Sequence, residues 1–147
     1  MTSEPVAAQL RSESGNTLLL FPAAVLILVI LGALAVDLGV ARLAQRDLAN
    51  LSASVANDIA GALDEEAFYV EGEVRIDPDL AERLLGAAID AHPGDAVEIT
   101  GGGWELLAAD EVLVWFEGEV PVIFAGALRQ DGVRHVRAET RASAIER

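Results

Sequence analysis

Leu18-Leu19-Leu20-Phe21-Pro22-Ala23-Ala24-Val25-Leu26-Ile27-Leu28-Val29-Ile30-Leu31 is the stretch whose reading decides the fold. It forms the apolar centre of a longer run, Ser14 to Val36, that carries no charged residue. At roughly 1.5 Å of rise per residue, those 23 positions make a helix of about 34 Å. That length matches a hydrocarbon core of roughly 30 Å and exceeds a typical buried helix of a small domain. The run is therefore expected to span a membrane, with Leu18, Leu26 and Val36 among its anchoring residues.

Working outward, only residues 1–13 precede the span and about 110 residues follow it, so a single-pass topology is expected. The next best apolar run, Val112 to Phe116, is short enough to be a strand. Basic residues give a slight charge count against export of the C-terminal part: Arg11 lies before the span, and Arg42 and Arg46 follow it. Acidic residues say little about orientation. Ala33-Leu34-Ala35 has the small-x-small form of a signal-peptidase site, which leaves a released domain as an alternative to a retained anchor. The apolar run is longer than a usual signal peptide core and favours retention.

Composition narrows the chemistry. The chain has 147 residues, a formal net charge of -14 and no cysteine. No disulfide or zinc-thiolate site is possible. All 10 basic residues are arginine, which removes Schiff-base and phosphate-loop lysine roles. An acidic chain is a poor match for a nucleic-acid backbone, so no nucleic-acid partner is expected.

Past the span the helical pattern continues. Between Asp37 and Ala62 there is no proline, and Leu48, Leu51, Val55, Ile59 and Leu63 recur at steps of three and four. Arg42, Gln45, Arg46, Asn50, Ser54, Asn57 and Asp58 occupy the other face. A stalk helix over 37–63 follows, with Leu48, Leu51, Val55 and Ile59 as its packing stripe. Asp64-Glu65-Glu66 would face the negative end of the helix dipole, so the helix is expected to end before it.

The segment 64–147 reads as a small α+β domain. Glu73-Val74-Arg75-Ile76 alternates like a short strand, and Asp77-Pro78 is a helix start with a capping acid and proline at the first helical position. Leu80, Leu84, Leu85, Ala88 and Ile89 give that helix one apolar face before His92-Pro93-Gly94 stops it. Val97-Glu98-Ile99 begins a strand, Gly101-Gly102-Gly103 reads as a loop, and Glu111 to Phe124 is β-prone. Gly118 and Pro121 favour an edge position or a bulge there. Asp131-Gly132 signals a hairpin turn into a last strand, Val133 to Ile145. The expected fold class is α+β: a long N-terminal transmembrane and stalk helix, then a mainly antiparallel sheet with one additional helix.

The N-terminal third resembles a known family. Gly15-Asn16-Thr17 before the apolar span, Leu34-Ala35-Val36-Asp37-Leu38-Gly39, and Ala41-Arg42-Leu43-Ala44-Gln45-Arg46 are similar to the corresponding region of TadE/TadG-like proteins of the tight-adherence (Flp) pilus system. The likeness covers about residues 11 to 63. It implies a minor pilin or pseudopilin in the inner membrane, with residues 1–13 cytoplasmic and the C-terminal domain extracytoplasmic. The implied partners are membrane lipid, other pilin-like subunits and inner-membrane pilus assembly proteins. Prepilin-type processing in that family uses a glycine, a glutamate five residues on, and then an aromatic. Gly15 and Phe21 fit this frame, and Leu20 stands where the glutamate would be. The chain is too short for the von Willebrand-type domain of full TadG proteins and lacks its Asp-x-Ser-x-Ser motif.

Catalytic patterns are missing from the sequence. His92 and His135 are the only histidines, without a His-Glu-x-x-His frame, and read as surface or loop residues. Asp77-x-Asp79 lacks the rest of a calcium loop, and Gly101-Gly102-Gly103 lacks a following Lys-Ser/Thr. No enzyme activity, metal, cofactor or small-molecule substrate is expected. Trp104, Trp115, Phe116 and Phe124 read as core or sheet packing. Two readings remain: a membrane-anchored assembly protein of pilin-like class, and an anchored or signal-peptide-released acidic extracytoplasmic binding module.

Overall fold

A computed structural model describes residues 14–122, 124 and 132–144. The flank 1–13, Asp131 of the expected turn, and Ile145 lie outside the described residues. The architecture is the expected α+β one: a long helix α1 (Ser14–Ala60), a second helix α2 (Pro78–Ala91), and an antiparallel sheet of strands β1 (Glu98–Ala108), β2 (Glu111–Pro121) and β3 (Val133–Ser143) in the order β1-β2-β3. Internal contacts divide the chain into two units, one up to Val36 and one from Asp37 onward.

The described residues of the first unit, 14–36, are all helix. Pro22 sits inside α1 and cannot donate to the carbonyl one turn back, a loss that spanning helices tolerate. Leu20, Phe21 and the large apolar residues from Val25 to Leu31 are exposed, as are Leu34 and Val36.

In the second unit, the α1 residues beyond Asp37 bury a stripe of Ala41, Ala44, Leu48, Ser52, Val55, Ala56, Ile59 and Ala60. Leu48, Val55 and Ile59 lie in the core, whereas Leu51 is only partly buried at its margin. Alanine at four of these positions keeps the helix surface low, so the bulky residues come from the sheet. Val112, Val114, Phe116 and Val120 of β2 are each at most 1% exposed. They alternate along the strand, which puts one face of β2 against the core. At about 1.5 to 3 kcal/mol for each fully buried large apolar side chain, this interlock of helix and strand dominates the stability of the unit. Ser52, a polar residue fully buried in this interface, is satisfied by the Ala49 carbonyl at 3.1 Å and by Thr140 Oγ1 of β3 at 2.8 Å.

α1 ends at Ala60, three residues short of the expected Leu63, because Gly61 and Ala62 close the last turn and the chain then leaves in an extended path. The expected strand at Glu73–Ile76 is reduced to one bridge between Leu63 and Ile76. Its neighbours are already engaged: a π-helical turn (Ala67–Glu71) takes the Glu73 N–H onto the Ala67 carbonyl, and Asp77 caps α2 through the Asp79 and Leu80 N–H groups. α2 buries Ala81 and Leu85 and packs against β1.

Two further expectations are corrected by the sheet. Gly101-Gly102-Gly103 is not a loop but the middle of β1, paired with Glu117, Phe116 and Trp115. Two aromatic rings of β2 occupy the space where side chains would stand. A Cβ on Gly103 would fall 2.4 Å from the Trp115 ring, and one on Gly102 would fall 2.7 Å from the Phe116 ring. Adjacent strand residues face opposite sides, so the two rings cover both faces of the same glycine run. β2, with Gly118 and Pro121, is the central strand and not an edge, whereas the alternative expectation of a bulge is met opposite Gly118, where the register shifts between Ile99 and Gly101. Gly118 pairs with Ile99 beside a register shift, where a Cβ would meet Val97 at 2.5 Å, and Pro121 closes the strand opposite Val133.

Candidate functional site

Three surfaces stand out. The first is the apolar surface of α1. Among the described residues one helix, α1, is long and apolar enough to cross a membrane from Leu20 onward, and none of its most apolar window is buried. Phe21, Leu26 and Val36 lie on this surface, while Gly15 and Leu18 belong to the first turns of α1.

The second lies wholly within the unit that starts at Asp37. A cleft of roughly 340 Å³ separates the first turns of that unit from the beginning of β3, lined by Leu38, Ala41, Arg42, Gln45 and the β3 residues Arg134–Arg137. Asp37 accepts from the Phe124 N–H at 3.0 Å, which ties the segment leaving β2 to the same stretch of helix. Arg137 is paired with Glu117 at 2.9 Å and Glu139 at 3.7 Å on the outer face of the sheet, and His135 lies 3.5 Å from Glu119. Arg42 and Arg134 have no ion pair or side-chain hydrogen bond among the described residues.

The third surface is Phe68, Tyr69 and Val70 on the π-helical turn, exposed by 45%, 80% and 77%. The two rings meet edge to face with centroids 5.3 Å apart. Glu65, Glu66, Glu71 and Glu73 surround them in sequence and are exposed.

His92 departs from the surface reading: its side chain is only 7% exposed and Nε2 lies 3.1 Å from Asp47. Gly94 N–H donates to its Nδ1 at 3.1 Å, so Nε2 carries the proton given to Asp47. Nε2 thus ties the end of α2 to α1, while the local bond at Nδ1 fixes the ring's orientation. Proline and glycine after His92 signalled a stop in the sequence, but nothing there indicated that Asp47, 45 residues away, would receive the ring. Trp104 is half-buried, with its Nε1–H donated to Glu82 of α2 at 2.9 Å. Phe116 is core, Trp115 covers Gly103, and Phe124 is exposed. Among the described residues no group of three or more His, Asp or Glu could hold a metal ion. Comparison of the chain with protein-family models, curated proteins and solved structures returns no match.

Proposed function

We propose that the chain is a single-pass, membrane-anchored minor pilin-like protein that assists assembly of a tight-adherence (Flp, type IV-like) pilus or a related secretion apparatus. The observation that supports this reading is the division of labour along α1. Its N-terminal part is apolar and exposed, whereas beyond Asp37 the same unbroken helix becomes the spine of an α+β domain. A helix that is apolar all round suits lipid, and one with a single buried stripe suits a water-facing domain. The likeness of residues 11 to 63 to TadE/TadG-like proteins supplies the assignment to pilus assembly. The domain is placed outside the cytoplasm, with pilin-like subunits and inner-membrane assembly proteins as its partners.

Leu20 refines the role. An intramembrane carboxylate is costly unless it meets an opposite charge, and this chain has an alkyl group at that position. Its entry into an assembly would depend on apolar packing, which fits an accessory at the base of the machine better than a shaft subunit. Deletion of the gene should reduce or abolish piliation, and sheared pili should contain the protein in trace amount or not at all. Its recovery as the dominant protein of sheared filaments would overturn the accessory role, and normal piliation in the deletion strain would overturn the assembly role.

A further inference from the structure

We infer that the cleft between the first helical turns after Asp37 and the start of β3 binds the phosphate headgroup of an anionic membrane lipid. The inference rests on the reading of α1 as a membrane span. The chain holds 24 acidic and 10 basic residues, yet Arg42 of α1 and Arg134 of β3 both line this cleft, and Arg137 adds to its wall with its guanidinium turned to the outer face of the sheet. Arg137 is held by Glu117 and Glu139, and Arg75 elsewhere by Glu71 and Asp64. Arg42 and Arg134 keep their guanidinium groups unpaired among the described residues, although carboxylates are abundant in the chain. Among the described residues no acidic residue lines the cleft, and two acids of the elements that form it have partners of their own, Asp37 with the Phe124 N–H and Glu119 with His135.

Position along the chain selects the ligand. Arg42 follows Val36 by six residues, about 9 Å of helix, and its side chain can lean back toward the headgroup layer. Guanidinium groups offer paired donors that match phosphate oxygens. Gln45 adds a neutral amide, and Leu38, Ala41 and Val136 give the cleft an apolar wall for the glycerol end of a lipid. A free phosphate ester would share the headgroup chemistry but would gain nothing from that wall or from closeness to the bilayer.

The test uses the full chain reconstituted in phosphatidylcholine vesicles containing a minor fraction of phosphatidylglycerol. Lipid retained after detergent extraction is identified by native mass spectrometry. The wild-type chain should retain phosphatidylglycerol in preference to phosphatidylcholine. Arg42→Gln or Arg134→Gln should each weaken that retention roughly fivefold, the usual contribution of one arginine at an anionic surface. Arg83→Gln, on the exposed side of α2, should leave it unchanged. Equal retention in the Arg42 and Arg134 variants, or no preference in the wild type, would overturn the inference. So would full displacement by soluble glycerol phosphate, which would make a free ester the ligand. A chain that fails to float with pure phosphatidylcholine vesicles would defeat the anchor reading itself. One that floats without preferring phosphatidylglycerol would defeat the cleft alone.

Discussion

Gly103 shows how a single missing side chain decides local structure. Its Cβ position is taken by the Trp115 ring at 2.4 Å, whereas a Cβ on Gly101, two residues away, would meet only the end of the Glu117 side chain at 3.9 Å. Gly103→Val should therefore push the indole off the strand and cost about 1 to 3 kcal/mol. Gly101→Ala should be nearly neutral. Chemical denaturation of the detergent-solubilised chain, followed by tryptophan fluorescence, distinguishes the two; equal midpoints would mean that the ring does not depend on the glycine. Ser52 illustrates the opposite case, a polar group deep in an apolar interface that stays because Thr140 and the Ala49 carbonyl satisfy it. Ser52→Ala should lower stability by about 1 to 3 kcal/mol, read as a shift of the same denaturation midpoint, because it removes both hydrogen bonds without adding bulk.

Among the elements, α1 carries the most consequence, since its stripe meets both α2 and the sheet. Val55 is 3% exposed, and a carboxylate there would be buried without a partner. Val55→Asp should abolish the cooperative melting transition of the domain, while Asn57→Asp on the exposed face should leave it in place. A retained transition in the Val55 variant would remove the stripe from the core. The apolar run, the stripe and the Asp77-Pro78 helix start were legible in the sequence because each is a local pattern with one physical reading. The strand at Gly101-Gly102-Gly103 was not, because its stability comes from Trp115 and Phe116 on another strand. The Glu73–Ile76 segment failed for the reverse reason: its alternation is real, but the Glu73 N–H closes the preceding turn while the Arg75 carbonyl and Ile76 N–H are shared between Asp64 and Ala109, so no continuous ladder forms. The arginine cleft was hidden too, since Arg42 and Arg134 are brought together only by the packing of β3 beside α1.

At the scale of the whole molecule, the proposed span has two possible directions: the basic residues after it favour one, and the proposed pilin-like role requires the other. The absence of cysteine makes this measurable, because one introduced thiol is then the only reactive site in the chain. Tyr69 is suited to replacement, being 80% exposed on the π-helical turn and outside the core. With the C-terminal domain outside the cytoplasm, Tyr69→Cys should react with a membrane-impermeant maleimide in wall-stripped intact cells. Ser3→Cys, in the flank before the span, should react only after the membrane is permeabilised. The reverse pattern would place the domain inside and overturn the proposed export. Labelled Tyr69→Cys protein recovered from the medium at a mass lacking the apolar run would instead support cleavage near Ala35 and release. Labelling separates these outcomes where the charge count does not, because Arg42 sits where either a cytoplasmic bias or the lipid-binding cleft would put it.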